Sequence, residues 1–250
     1  MKNRIDFLGI PVDAITMEET LKKVDDAVVN NKCIHHSVIN AGKVVLMQKD
    51  QLLTQSVVSA DLINADGQSI VWAARFLGLR IPERVAGIDL MENLISLSYK
   101  NSYKCFFLGA SKEVIEALVA KYSKKYSKNM IAGYRNGYFN SDEEKDIVEE
   151  ITNSGANILF VAITSPKKEI FLNRHKEDLK CINFIMGVGG SFDVIAGKVK
   201  RAPILAQKLG LEWLYRLLQE PRRMWKRYLV GNLKFIYIII RKKFFLNFDS

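Results

Sequence analysis

Four groups of residues have types and spacings that could do chemistry. Asp66 sits in Asn64-Ala-Asp66-Gly67, where an apolar run gives way to a helical pattern. A carboxylate there could take a proton from a sugar hydroxyl, or it could cap the helix that follows. Gly187-Val-Gly189-Gly190-Ser-Phe-Asp193 follows another apolar run. Its glycines would let backbone amides approach a phosphate, and Asp193 could bind a ribose hydroxyl or cap a helix. Thr164-Ser165-Pro-Lys-Lys168-Glu169 places hydroxyls and two lysines where a helix should start, a setting that could receive a diphosphate or form a plain solvated first turn. Arg84, in Glu-Arg-Val-Ala-Gly, could reach toward phosphate or pair with Glu83 or Asp89.

These groups need a scaffold that brings them together. Short runs rich in Val, Ile and Phe predict strands at Ile5–Ile10, Ile34–Ile39, Leu62–Asn64, Lys104–Leu108, Met130–Tyr134, Ile158–Ile163 and Phe184–Val188. Helical patterns alternate with them. Thr16-Met-Glu-Glu19 and Ser141-Asp-Glu-Glu144 read as capping boxes, and Ser165-Pro166 as a hydroxyl cap followed by Pro in the first turn. The alternation predicts an α/β, Rossmann-like, mainly parallel sheet with helices on both faces. Such sheets bind ligands at the carboxyl ends of their strands, which selects Asn40, Asp66, Gly109, Thr164–Lys168 and Gly187–Asp193.

Charge divides the chain. Residues 1–197 carry 24 Lys+Arg and 24 Asp+Glu, whereas the remainder sets 13 Lys+Arg against Glu212, Glu220 and Asp249. The expected organisation is an α/β core over 1–197 and a basic, amphipathic helical appendage over 198–250. On a helical projection Arg222, Arg223, Lys226, Arg227 and Lys234 fall on one side of the appendage. Trp225, Tyr228, Leu229, Phe235, Ile236 and Ile239 fall on the other. A basic, aromatic helix suits an anionic membrane surface, and its apolar side could instead serve a homo-oligomer contact.

Other features narrow the classes. Cys33, Cys105 and Cys181 are widely spaced, which points to a reducing compartment and away from a disulfide framework. The first residues show no signal-peptide pattern, and the run Phe235–Ile240 is too short to span a bilayer, so a cytoplasmic protein lying on a membrane is expected. His35 and His36 should alternate faces of a strand, with at most one inward, and all three histidines read as structural. No metal site is expected, since neither H-E-x-x-H nor D-x-D occurs. No helix-turn-helix, RNP or zinc motif supports nucleic-acid binding, and no early glycine fingerprint supports a nicotinamide enzyme. A basic nucleic-acid-binding protein and a non-catalytic membrane scaffold stay as alternatives.

Taken jointly, DLINADGQSIVWAARFLG, ERVAGIDLM, SPKKE, GVGGSFDVIAGKVKRAP and LGLEWLYRLLQEPRRMWKRY resemble, in order and spacing, the WecG/TagA/CpsF glycosyltransferases (glycosyltransferase family 26). The resemblance runs from about Gly9 to Tyr228. It implies an inverting, metal-independent enzyme without cofactor. Such an enzyme moves a sugar of N-acetylmannosamine type, or a related hexose, from a UDP donor to a polyprenyl-diphosphate-linked sugar at the inner membrane face. It also implies roles: Asp66 as base; Asn40, Arg84, Ser165, Lys168, Gly189, Gly190 and Asp193 toward the donor; Arg216, Arg222, Arg223 and Arg227 toward lipid diphosphate and membrane. Lys168 stands where the family commonly has Gln, and Val38 where it commonly has Thr.

Overall fold

The computed structural model describes residues 4–245. The chain opens with a hairpin, β1 (Arg4–Phe7) and β2 (Ile10–Asp13), then α1 (Met17–Val29). The expected single strand Ile5–Ile10 is therefore broken. Leu8 and Gly9 both take positive φ, 58° and 81°, and reverse the chain in a two-residue turn whose Gly9 N–H donates to the Asp6 carboxylate. A leucine in that conformation hid the turn inside an apolar run.

The main unit follows: β3 (Ile34–Ile39), α2 (Ala41–Met47), α3 (Gln51–Val58), β4 (Leu62–Ala65), α4 (Gln68–Phe76), α5 (Gly87–Asn101), β5 (Cys105–Gly109), α6 (Lys112–Lys125), β6 (Ile131–Arg135), α7 (Glu144–Asn153), β7 (Ile158–Ala162), α8 (Lys167–Arg174), β8 (Phe184–Gly187) and α9 (Ser191–Ile195). The six strands β3–β8 form one parallel sheet in the order β4-β3-β8-β7-β5-β6. Alternate residues feed opposite cores. Phe107, Phe160, Phe184 and Met186 pack against α1, α5, α6 and α9. Phe106, Leu159, Val161 and Ile185 meet α7 and α8, while Ile39 and Ile63 join α2, α3 and α4 on that second face. The chain is thus Rossmann-like α/β. Because both faces are covered, His35 and His36 are both buried, which corrects the expectation of one inward ring.

Capping follows the sequence with small shifts. Thr16 and Glu19 make the expected box at α1. The second box forms one residue early, between Asn140 and Glu143. Pro166 rather than Ser165 occupies the N-cap of α8, and no side chain caps that helix.

After the core come α10 (Ile204–Lys208), α11 (Glu212–Gln219), α12 (Pro221–Trp225) and α13 (Gly231–Phe245), the last two joined by a π-helical stretch, Lys226–Val230. Pro221 opens α12 as expected. The wide turn adds residues to the helix without the usual rotation, so a uniform 100° projection loses register there. Met224, Phe235 and Ile239 are buried, while Trp225, Leu229 and Ile236 are exposed. The single apolar face expected from the sequence is split. No described helix is long and apolar enough to cross a membrane.

Candidate active site

Adjacent strands β4, β3, β8 and β7 end along one rim and deliver the predicted residues to it. Asn40 follows β3 and caps α2, its Oδ1 accepting the Lys43 N–H at 3.0 Å. Asp66 follows β4, half-buried, with its backbone N–H on the Ile39 carbonyl. Gly67, not Asp66, takes the N-cap of α4. The Asp66 carboxylate instead reaches across: Oδ1 accepts the Gly87 N–H at the start of α5, at 2.9 Å. Among the described residues no hydrogen bond falls on Oδ2. Met186 of β8 closes the same corner: a Cβ on Gly87 would lie 3.7 Å from Met186 Cε and 3.9 Å from Asp66 Oδ1.

Two strand spacings from Asp66, about 10 Å, β8 ends in the glycine turn. Gly189 has φ +53°, and Gly190 precedes α9. Asp193, in that helix, holds the Lys198 and Val199 N–H groups with its carbonyl, and its carboxylate lies 4.0 Å from Lys198. The appendage comes down on this turn. A Cβ on Gly190 would fall 2.6 Å from Arg216 Nη2, so the glycine leaves room for the guanidinium. Gly210 is similarly seated against Trp72 and Gln68 of α4.

Arg84 lies beside the rim because the Val85 N–H bonds the Ala65 carbonyl. Its partner is neither Glu83 nor Asp89 but Glu212 of α11, through an ion pair. Asp89 pairs instead with Arg201, at 2.7 Å. Core and appendage are thereby pinned together at two places. Arg222 is exposed at the start of α12. The side chains of Arg223 and Arg227 lie outside the described residues.

The two lysines after β7 part company. Ser165 and Lys167 are exposed, with Lys167 Nζ on the Phe139 carbonyl at 2.9 Å. Lys168 is buried and turns under the sheet end. A Cβ on Gly187 would collide with Lys168 Cε at 2.3 Å. The Lys168 ammonium meets Glu169 Oε1 at 3.1 Å, and the same oxygen takes Lys43 Nζ at 2.8 Å. Burial alone would raise the Glu169 pKa, but Lys43 and Lys168 outweigh it and bring it down to about 2. Burial, then Lys168, lowers that of Lys43. Lys43 was not singled out in the sequence, and Glu169 entered only as the last residue of the Thr164–Glu169 segment, with no role of its own. The available signal was one lysine in the otherwise apolar helix AGKVVLM. His36, whose Nε2 is 2.9 Å from Asn64 Oδ1, is pushed by burial to about 4. Among the described residues no group of three or more His, Cys, Asp or Glu is placed to hold a metal ion.

A parallel α/β sheet with a carboxylate, a glycine turn and cationic side chains along its carboxyl rim is the architecture in which such folds place their ligands. Residues 5–248 match the model of the Glycosyl transferase WecG/TagA/CpsF family, and the chain belongs to that family. It is therefore a glycosyltransferase of cell-surface polysaccharide synthesis.

Proposed function

We propose that this protein moves a sugar, an N-acetylmannosamine-type or related hexose, from a UDP donor to a polyprenyl-diphosphate-linked sugar, with inversion and without a metal. The observation that carries the reading is the open Oδ2 of Asp66, half-buried at the rim whose glycine turn is covered by Arg216. Asp66 Oδ2 takes the proton of the acceptor hydroxyl. The freed oxygen attacks the anomeric carbon from the face opposite the diphosphate. The bond from that carbon to the β-phosphate oxygen breaks, and UDP leaves with its electron pair. A placed base supplies about 10²–10⁴ in rate. Lys168 lies against Gly187 and Arg216 against Gly190, and groups of this kind act strongly on a leaving diphosphate once water is excluded.

In this reading Asn40, Arg84, Ser165, Gly189, Gly190 and Asp193 line the donor side. Residues 1–197 form the catalytic core. The appendage, with Arg216, Arg222, Arg223 and Arg227, meets the lipid diphosphate and an anionic membrane at its cytoplasmic face. Exposed Leu229, Leu233, Ile236, Tyr237 and Phe244 beside Lys234, Arg241 and Lys242 support that contact.

The test is a panel of UDP-sugars with polyprenyl-diphosphate-linked acceptors, read as UDP release in the presence of a chelator. One donor should release UDP only when lipid acceptor is present, and the product linkage should be inverted. Turnover with no pair in the panel, or turnover abolished by the chelator and restored by a divalent ion, defeats the reading.

A further inference from the structure

Two ammonium groups share one carboxylate beneath the rim. Lys43, Lys168 and Glu169 have side chains only 6%, 9% and 4% exposed. Lys168 with Glu169 alone would make a balanced pair. Lys43 adds a second positive charge to an interior that already has its counter-ion, and burying a surplus charge costs stability. Another negative group, Asp66, has a field that reaches Lys43. His36, also within reach, is neutral at ordinary pH. With Lys43, Lys168, Glu169 and Asp66 all ionised, the group sums to zero.

We propose that Lys43 is a positioning residue of the transfer reaction: by clamping Glu169 from the far side, it keeps Lys168 over Gly187 with its positive charge unspent, available to the donor's diphosphate. The inference rests on the glycosyl-transfer reading above. When Asp66 accepts the acceptor's proton, its charge disappears and the cluster is left with one net positive charge. At the same moment the bond to the β-phosphate oxygen breaks and the departing diphosphate gains negative charge. The cluster's positive charge therefore grows as the leaving group's negative charge develops, adding to the attraction that Lys168 already offers the bound diphosphate. Gly187 is part of the arrangement, because any side chain there would displace the Lys168 stem.

The experiment measures UDP binding by calorimetry, which requires no acceptor, alongside thermal unfolding and kcat. Lys43→Met leaves Lys168 and Glu169 as a neutral pair. It should fold with unchanged or higher stability, bind UDP about tenfold more weakly and lose kcat as well, the order expected when one charge-assisted contact is lost. The double variant Lys43→Met/Glu169→Gln leaves Lys168 alone with its charge. It should regain UDP affinity to within about threefold of the parent chain, a small residue on the same scale, while being less stable than the single variant. A structural anchor predicts the opposite: Lys43→Met unfolds or is clearly destabilised, and the double variant binds no better. Either of those results, or UDP affinity unchanged in Lys43→Met, overturns the proposal. If the unaltered protein binds no UDP, the parent reading fails and this one with it.

Discussion

The core and the appendage are held by different forces. In the core, strands β5, β7 and β8 are buried at every residue. Helices α1, α2 and α3 begin with side-chain caps from Thr16, Asn40 and Asp50. In the appendage, α10, α11 and α12 begin without a side-chain cap, and α11 buries none of its residues. Ile204, Leu205 and Leu218 are each at least 70% exposed. What ties residues 198–230 down is mainly polar: Arg84 to Glu212, Arg201 to Asp89, and Arg216 laid on Gly190. Partly exposed ion pairs contribute about 0–1 kcal/mol each. Burial adds Met224 of α12, and α13 is anchored through Phe235 and Ile239 against the α2 side of the core, such side chains contributing about 1.5–3 kcal/mol each. The rim is therefore built on a frame of buried strands, and Arg216 reaches it from a segment held largely by partly exposed polar contacts.

The contrast can be attacked first at the base. Asp66→Asn should lower kcat by about 10²–10⁴ with circular dichroism and thermal unfolding unchanged. A variant that keeps turnover within a few-fold would place the proton transfer elsewhere. The next test sets two neighbours in α13 against each other. Phe235→Ala should cost about 3 kcal/mol in urea unfolding, whereas exposed Ile236→Ala should stay within about 0.5 kcal/mol and weaken flotation with anionic liposomes. Equal destabilisation by the two, or flotation unaffected by Ile236→Ala, would erase the distinction between the docked and open sides of that helix.

The last expected effect is on acid stability, and it belongs to the core. Burial holds His35 and His36 near 4, below the ordinary value of 6.5. Between those pH values the unfolded chain binds protons that the folded chain refuses. Stability should therefore fall as pH drops from 6.5 to 4, by up to about 3 kcal/mol for each ring. Glu169, held down to about 2 against an ordinary 4.5, extends the loss below pH 4.5. Urea midpoints measured across this range check the sign; a midpoint that rises on acidification contradicts it.

The parallel sheet was readable because strands covered on both faces leave near-continuous apolar runs, and Phe184–Gly187 and Ile158–Ala162 are of that kind. The rim residues Asn40, Asp66 and Gly189–Gly190 were readable because strand ends fix where a crevice lies. Three things were not. The Leu8-Gly9 reversal set a leucine beside its glycine where Asn or Asp is usual. The Arg84–Glu212 and Lys43–Glu169 pairs join positions more than a hundred residues apart, which no local pattern records. The rotation of α13 was lost at Lys226–Val230, since periodicity carries no mark of a widened turn.

The opening hairpin has a use beyond its own pairing. Asp13 accepts the Ile63 N–H of β4 at 2.8 Å, and Arg4 donates to the Ala60 and Asp61 carbonyls beside it. The outer strand of the sheet thus meets polar side chains where a neighbouring molecule's strand would otherwise add on. A flank guarded in this way keeps chance encounters between copies from zipping into aggregates, and Asp13→Ala should reveal itself first as a loss of solubility.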